Sequence, residues 1–261
     1  MTALHPDDEL TVDALTGGPT GWSITQRRRG HRHSTDDLLT GWYAGEVLPG
    51  ARRLLDLGTG IGSVGLIALW RSPPDATLVA IEAQEISFAL LEANIARNGL
   101  ATRVRPIHAD LRDVRLDEKF ELVTGSPPYW DVSWGVVPAD SQKAHARFEL
   151  RGDVRDYAHA ARAALADNGR FVFCFPTVQR ARAEAACTAA DLAITRSRDV
   201  IPRAGAAPLF TLFAARRAED GDEPHVREPD HLVRDATGAP TPAHLAARAA
   251  LGFAESRERP A

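Results

Sequence analysis

Cysteine and long apolar runs are both scarce in this chain. Two cysteines occur in 261 residues, too few for the disulfide framework of a small secreted domain. No apolar run approaches the roughly 20 residues that a membrane span needs, and the first ten residues show no signal-peptide pattern. No cluster of residues has the spacing of a metal site. We therefore expect a cytoplasmic protein that uses neither a metal nor a membrane.

Lysine is nearly absent as well. Lys119 and Lys143 are the two lysines, so arginine carries almost all of the positive charge. The net charge of −4 argues against an extended nucleic-acid surface, although a local basic patch could still bind RNA. The apolar content of 44% and the length suit one globular domain with extensions.

A glycine-rich turn dominates the first half of the chain. The apolar segment 53–57 predicts a buried strand, Gly58, Gly60 and Gly62 turn the chain, and an apolar-periodic helix begins near Ser63. Glycine lets the backbone approach a ligand closely, and a helix N-terminus presents free N–H groups. The pattern predicts a nucleotide-binding turn, with an ordinary strand–helix turn as the alternative.

Polar groups end the strands that follow. Glu82 is placed to accept hydrogen bonds from a ribose, and Asp110 either accepts from an adenine amino group or caps the next turn. Because the carboxyl ends of parallel strands meet at one edge of a sheet, these groups should share a ligand site with the GSPPYW run at 125–130. The predicted strands are 77–81, 104–109 and 120–124.

The glycine turn, Glu82, the segment 108–110 and the SPPY run together resemble a class I S-adenosylmethionine (SAM)-dependent methyltransferase. The resemblance covers nearly the whole chain. It implies an α/β fold with a Rossmann-like, doubly wound, seven-stranded and mostly parallel sheet. Segments 192–199 and 209–216 would form a C-terminal antiparallel hairpin. It also implies SAM as the cofactor, with Asp56 beside its amino-acid end.

Residues 13–39 resemble the lead-in of the bacterial tRNA adenine-N6 methyltransferases, which carry the small methyltransferase domain. There, a Gly-aromatic-Arg-aromatic-Ser-x-Asp run forms a lid over the cofactor. Here both aromatic positions are histidine, His31 and His33. The resemblance gives the predicted cofactor-binding set as Arg32, Ser34, Asp36, Asp56, Gly58, Gly60, Gly62, Glu82, Ala109, Asp110 and Ser126.

The run Ser126, Pro127, Pro128, Tyr129 resembles the motif of enzymes that methylate planar amino or amide nitrogens, and these four residues are the predicted catalytic set. An exocyclic amine is a poor nucleophile because its lone pair is delocalised into the ring. The resemblance implies that Ser126 Oγ and the Pro127 carbonyl accept hydrogen bonds from the N–H groups of the amine. It also implies that Tyr129 stacks on the ring. The remaining acceleration would come from alignment with the electrophilic methyl group, with no metal required.

Serine stands where the tRNA enzymes usually have asparagine, whose amide oxygen reaches further and accepts hydrogen bonds more strongly. We predict a SAM-dependent N-methyltransferase acting on an exocyclic amine of adenine in tRNA or other RNA. One alternative is N-methylation of a protein glutamine or a small-molecule amine. Another is a catalytically weak SAM-binding partner subunit. Both a monomer and a homodimer remain open.

The predicted substrate contacts come from two other segments. Arg27, Arg28 and Arg29 form the densest positive cluster, either an arm that contacts phosphates or a solvated turn. Residues 131–149 read as a long irregular loop, either functional or disordered. Trp134 in this loop and Trp130 just before it would stack on a base or close over the cofactor. The predicted substrate-binding set is Trp130, Trp134, Arg147, Glu149, Arg27, Arg28 and Arg29.

The chain divides into three predicted parts. Residues 1–50 form an N-terminal extension with a frayed first dozen residues, a hairpin, the lid and a helix. Residues 51–216 form the SAM-binding methyltransferase domain. Residues 217–261 form the third part. Its segment 217–240 is rich in Asp, Glu, Pro and Gly and reads as a linker or mobile loop, and a short helix at 243–251 then packs on the same domain.

Overall fold

A nine-stranded sheet runs through the centre of the computed structural model, which describes residues 8–254. A separate two-stranded hairpin precedes it in the chain. The strands are β1 (Leu10–Ala14), β2 (Ser23–Arg27), β3 (Arg53–Leu57), β4 (Thr77–Glu82), β5 (Val104–His108), β6 (Phe120–Gly125), β7 (Leu165–Pro176), β8 (Leu192–Ile201), β9 (Phe210–Arg217), β10 (Val226–Arg227) and β11 (His231–Leu232).

Seven α-helices occur within residues 8–254, and several pack on the sheet. None of the helices in that range has the length and apolar character to cross a bilayer. The helices are α1 (Thr35–Val47), α2 (Ser63–Trp70), α3 (Glu85–Arg97), α4 (Ser141–Arg147), α5 (Val154–Ala164), α6 (Arg180–Ala189) and α7 (Pro242–Ala250).

The sheet order is β10-β8-β9-β7-β6-β3-β4-β5, with β11 also beside β8. Strands β3 to β7 pair in parallel, whereas β9 runs antiparallel to both β7 and β8. The predicted mostly parallel sheet with a C-terminal antiparallel hairpin is therefore confirmed. The two short strands β10 and β11 add to the seven that the sequence indicates.

Both faces of the sheet are buried, which explains the continuous apolar runs of its strands. Leu54 packs with residues of α1 and α2, while the next residue, Leu55, packs with residues of α5 on the opposite face. This alternation follows from the two-residue period of a strand. The glycine turn after β3 is thereby held between two helical layers.

The helix α3 anchors the N-terminal hairpin with two asparagine side chains. Asn94 accepts from the Thr25 backbone N–H at 2.6 Å and donates to the carbonyls of Thr25 and Ile61 at 3.1 and 2.9 Å. One turn later, Asn98 makes the same pair of bonds with the Ser23 backbone, at 2.9 and 2.8 Å. The two asparagine side chains thus satisfy backbone groups of β2 in the way that a neighbouring strand would. Asn94 also links the hairpin to the glycine turn through the Ile61 carbonyl.

The structure corrects three expectations about irregular segments. The sequence predicts that residues 1–12 are frayed. Residues 1–7 lie outside the described residues, but residues 10–12 belong to the strand β1. Segment 131–149 contains a 3-10 turn, Val132–Trp134, and the helix α4. The linker composition of 217–240 is misleading, because that segment contains β10 and β11 beside β8.

Ion pairs hold the segment after β9 in place, which is why its charged composition does not make it a linker. Glu228 accepts hydrogen bonds from Tyr43 Oη at 2.8 Å and from Arg198 Nε at 3.0 Å. Arg227 contacts the buried carboxylate of Asp199 at 2.8 Å. Further along, the Leu251 carbonyl accepts from the Gly17 N–H at 2.8 Å, so residues after α7 support the loop of the N-terminal hairpin.

We predict that Asn94→Ala lowers the free energy of unfolding by about 3 kcal/mol, because it leaves three backbone groups without their hydrogen-bond partner in a buried place. Urea unfolding followed by circular dichroism measures this. The matched control, Asn98→Ala, affects a half-buried site and should cost about 1 kcal/mol. Equal losses for the two variants would contradict the dominant role of Asn94.

Candidate active site

A cavity of about 320 Å³ opens at the carboxyl edge of the parallel strands. The chain ends of β3, β4, β5 and β6 supply one wall, and the segment before α1 together with α4 supplies the other. The predicted residues at this cavity are Ser34, Asp36, Asp56, Gly58, Gly60, Glu82, Ala109, Asp110, Ser126, Pro127, Pro128, Tyr129, Trp130 and Arg147.

Asp56 is the buried centre of the glycine turn. Its Oδ2 accepts from Thr59 Oγ1 at 2.5 Å and from the Gly65 N–H at 2.9 Å. Its Oδ1 accepts from Thr124 Oγ1 of β6 at 2.7 Å. Burial raises the pKa of this carboxyl, although its three hydrogen-bond donors act to lower the pKa. Asp56 therefore fixes the turn from inside as well as facing the cavity.

Glu82 braces the same turn from the next strand. Its Oε2 accepts from the Gly60 N–H at 2.8 Å and its Oε1 from the Gln84 N–H at 2.6 Å. Burial raises the pKa of Glu82 as well. A carboxylate held by backbone donors at the end of a strand can accept hydrogen bonds from the hydroxyls of a ligand through its remaining lone pairs.

Two glycines of the turn are required for different reasons. Gly58 has φ 58°, and a Cβ there would stand 1.9 Å from Tyr157 Oη, so no side chain fits. Gly60 has φ 60°, and no atom lies within 4 Å of where its Cβ would stand. The backbone of Gly60 therefore presents an open cradle to the cavity. Gly62 is the N-cap that precedes α2, and it does not itself line the cavity.

The cavity carries an excess of acidic groups. Asp37, which follows the predicted Asp36, is buried against the cavity and accepts from the Ser34 N–H at 3.0 Å. Burial and the nearby charge of Asp36 raise the pKa of Asp37 well above its usual range. With Asp56, Glu82 and Asp110, five carboxyls line the cavity, which suits a ligand with positive charge.

Asp110 is paired with an arginine, Arg112. Arg112 donates to its two oxygens at 2.9 and 2.7 Å, and the Arg112 backbone N–H donates to Oδ1 at 3.0 Å. The side-chain bond from Arg112 lowers the pKa of Asp110. The capping alternative raised by the sequence is thus seen, while Asp110 still lines the cavity.

The predicted lid is only partly directed at the cavity. His31, His33, Ser34 and Asp36 line it, and burial lowers the pKa of both histidines. Arg32 does not line it. Its guanidinium instead bonds Thr11 Oγ1 at 2.8 Å and Asp13 at 2.9 Å on β1. In this structure Arg32 therefore attaches the lid to the hairpin rather than contacting the cavity.

The SPPY run lies across the mouth of the cavity with its tyrosine firmly held. Tyr129 Oη donates to Asp36 Oδ2 at 2.9 Å, and the Tyr129 backbone N–H donates to the Arg147 carbonyl at 3.1 Å. The Tyr129 ring meets Phe175 edge-on at 5.8 Å. Its orientation is thus fixed by the lid on one side and the sheet on the other.

The predicted substrate residues separate into two groups. Trp130 and Arg147 line the cavity, and Trp130 is 41% exposed. Trp134 is 57% exposed beneath the Arg182 guanidinium, and Glu149 pairs with the same arginine at 2.7 Å. Neither of these two lines the cavity. They form a surface beside its mouth.

The arginine cluster also divides. Arg27 is half-buried and pairs with Asp8 at 2.8 Å and with Asp140 at 2.9 Å. Its charge is therefore used in ion pairs within the protein. Arg28 is exposed and pairs with Glu9 at 3.2 Å. Arg29 is exposed and shares a shallow surface pocket with Lys143. Of the three arginines, Arg28 and Arg29 present charge to solvent.

Sequence reasoning missed several residues that line the cavity. Asp37 lies in the first turn of α1 directly after the lid run, and Tyr157 and Gln142 lie on helices with no motif of their own. Arg151 donates to the Ala83 carbonyl at 2.8 Å beside Glu82. A glycine at position 58 could have indicated that a bulky side chain lies against the backbone there. That this side chain is Tyr157 depends on the tertiary fold. Across residues 8–254, no three histidine, cysteine or acidic side chains are grouped as a metal site.

Comparisons with known proteins agree with this geometry. Residues 45–140 match the model of the methyltransferase small domain family. The chain is 31% identical over 179 residues to the tRNA1(Val) (adenine(37)-N6)-methyltransferase of Bacteroides thetaiotaomicron, covering 69% of this chain and 74% of that protein. It is 28% identical over 198 residues to the enzyme of the same name from Histophilus somni, covering 75% and 81%.

Solved structures share the fold at low sequence identity. A predicted O-methyltransferase from Agrobacterium tumefaciens aligns with a TM-score of 0.62 at 17% identity, over 85% of this chain and all of that one. The tRNA m1G37 methyltransferase of M. jannaschii aligns with a TM-score of 0.54 at 14% identity, over 82% and 56%. The fold, the acid-lined cavity and the first of these sequence matches together make this chain a member of the SAM-dependent methyltransferase family that includes the curated tRNA1(Val) (adenine(37)-N6)-methyltransferases.

Proposed function

We propose that this protein transfers a methyl group from SAM to the exocyclic N6 amine of an adenine in tRNA. The observation that carries the proposal is the position of Ser126 and Tyr129 at the mouth of an acid-lined cavity. Relatives named tRNA1(Val) (adenine(37)-N6)-methyltransferase support the acceptor and direct attention to adenine 37.

The cavity residues fit the cofactor. The open backbone of Gly60 offers a cradle, and the oxygens of Glu82 and Asp110 suit the hydroxyls and the adenine amino group of a nucleoside. Asp36 and Asp37 supply carboxyl groups at the opposite wall, and Asp56 supplies one at the end of β3. The ionised forms of these groups stabilise a positively charged group. When bound, SAM supplies a methyl group on an electron-poor sulfonium sulfur.

The chain's own residues then act on the acceptor amine. Ser126 Oγ and the Pro127 carbonyl would accept hydrogen bonds from the two N–H groups of the amine. These bonds would draw the nitrogen toward tetrahedral geometry, which frees the nitrogen lone pair. Tyr129, held by Asp36 and Phe175, would fix the plane of the base by stacking. Positioning of this kind increases the rate of transfer because it aligns the nitrogen with the methyl group.

The surface beside the cavity suits single-stranded RNA. Trp130 and Trp134 are exposed and aromatic, and bases stack on such side chains. Arg29 and Lys143 share a surface pocket at α4, the helix that also lines the cavity, and cations there can contact phosphates. A base that leaves its stack could therefore enter the cavity while the backbone stays on the rim.

We expect the purified protein to incorporate labelled methyl groups from SAM into tRNA1(Val) transcript, recovered as N6-methyladenosine after nuclease digestion. A transcript with guanine in place of adenine 37 is the matched control and should take up no label. Label in another nucleotide would change the target position. Label in protein or small molecules alone, after the same test on cell extract, would contradict an RNA acceptor.

We predict that the preference for SAM over S-adenosylhomocysteine increases as the pH rises from about 5 to about 8. Burial raises the pKa of Asp37, Asp56 and Glu82, so these carboxyls are more protonated at the lower pH. The sulfonium charge favours their ionised form, and S-adenosylhomocysteine lacks that charge. Isothermal titration of both ligands across this pH range measures the ratio of the two Kd values.

Asp37→Asn should make this pH dependence shallower, because it removes one of the titrating carboxyls while keeping a similar shape. The exposed Asp117→Asn serves as the control and should leave the dependence unchanged. A Kd ratio that stays constant with pH in the unaltered protein would refute the electrostatic role of these carboxyls.

We predict that the double substitution Arg29→Ala and Lys143→Ala weakens tRNA binding and reduces the slope of log K against log salt by about 2, roughly one for each lost phosphate contact. SAM binding should be unaffected. Arg52→Ala with Arg53→Ala removes equal charge at the amino end of β3, on the opposite edge of the sheet, and should leave the slope unchanged. Filter binding at several salt concentrations gives the slopes, and equal changes in both pairs would count against this surface.

A further inference from the structure

A buried cysteine lies directly behind the SPPY run. Cys174 Sγ on β7 is 3.4 Å from Ser126 Oγ and 3.2 Å from Tyr129 Oη. Tyr129 Oη in turn donates to Asp36 Oδ2 at 2.9 Å. Four polar side chains therefore form a continuous line from the motif serine to a carboxylate of the lid.

The direction of this line follows from counting hydrogens. An ionised carboxylate accepts only, so the one hydrogen of Tyr129 goes to Asp36. The contact between Tyr129 and Cys174 must then use the thiol hydrogen, donated by Cys174. The contact between Cys174 and Ser126 can use only the serine hydrogen. Within these three contacts, this assignment places one hydrogen in each. Thr40 also bonds the Cys174 thiol and Ser126 also bonds Tyr129, so the thiol hydrogen and the serine hydrogen each have a second acceptor within the protein.

The protonation states agree with that assignment. Burial raises the pKa of the Cys174 thiol to about 12, and burial raises the pKa of Tyr129 well above its usual range. Both groups therefore keep their hydrogens at neutral pH. Sulfur is a weak donor and a weak acceptor, so the line acts by orienting the hydroxyls rather than by its strength.

We propose that Cys174 is a positioning residue that turns the Ser126 hydroxyl hydrogen away from the cavity, so that Ser126 Oγ meets the substrate amine as an acceptor. A free serine hydroxyl can either donate or accept, and donation toward an amine would oppose the required N–H contact. With its hydrogen engaged by Cys174, Ser126 presents only lone pairs to the cavity. The line thus gives serine the acceptor character that an asparagine amide oxygen has by itself.

This inference rests on the proposed N-methyl transfer and deepens it, since it concerns how Ser126 recognises an N–H group. It uses only contacts among Ser126, Tyr129, Cys174 and Asp36. It does not depend on which RNA supplies the amine.

The test is a double-mutant cycle between Cys174 and Ser126. We expect Cys174→Ala to lower kcat about fivefold, the size of one lost hydrogen bond between Ser126 and the substrate amine, without changing the KM for tRNA or the Kd for SAM. In the Ser126→Asn background the same Cys174→Ala change should alter kcat less than about twofold, because an amide oxygen needs no orienting donor. Equal losses in the two backgrounds would overturn the proposal.

A second comparison keeps the test decisive if Ser126→Asn is inactive. Cys174→Ser retains one hydrogen and one acceptor at the same place and should recover most of the activity lost in Cys174→Ala. Thermal unfolding of each variant separates this effect from a loss of stability. Equal rates for the serine and alanine variants would reject the role of Cys174.

The two proposals fail in distinguishable ways. Transfer by the unaltered protein to tRNA adenine tests the proposed function by itself. If the unaltered protein methylates another amine or amide, the cycle is measured on that acceptor, and the same comparisons decide the role of Cys174. An unaltered protein that methylates no acceptor overturns both proposals.

Discussion

The buried carboxylate of Asp56 is the constraint on which the rest of the site depends. It bonds the turn after its own strand through Thr59, the start of α2 through the Gly65 N–H, and the neighbouring strand through Thr124. Charge inside a protein is costly unless donors surround it, and here three separate elements provide them. The glycine turn can therefore stay open toward a ligand, because its shape is set from below by Asp56 and from the side by Glu82.

Much of the fold and part of the site could be predicted because their signals are local in the chain. The strand at 53–57, the glycines after it and the SPPY run each stand within a few residues, and the structure places most of them at one cavity. What could not be predicted depends on distant partners. Asn94 reads as an ordinary helix residue until Thr25 lies beside it, Arg27 seems free until Asp140 neutralises it, and Tyr157 shows no motif. The charged segment 217–240 was misread for the same reason, since composition does not reveal the ion pairs to Arg198 and Asp199.

In the role that we propose for Ser126, the exchange of asparagine for serine distributes one chemical task over several residues. A long amide side chain carries its acceptor to the substrate by itself. A short hydroxyl depends on its surroundings for reach and for the direction of its hydrogen. In this chain the surroundings of Ser126 are β7, the motif tyrosine and the lid carboxylate. The lid and the SPPY run are consequently parts of one hydrogen-bonded unit rather than two independent segments.

The contact between Gly17 and Leu251 has a consequence for biosynthesis. The two residues are separated by almost the whole described chain, yet the loop that closes the N-terminal hairpin rests against the residues after α7. During translation, which proceeds at about 5–20 residues per second, the central sheet emerges before that support does. The hairpin carries the lid, so the lid acquires its full support only when synthesis has passed residue 251. A nascent chain can therefore form the parallel strands β3 to β7 before the N-terminal hairpin gains this support.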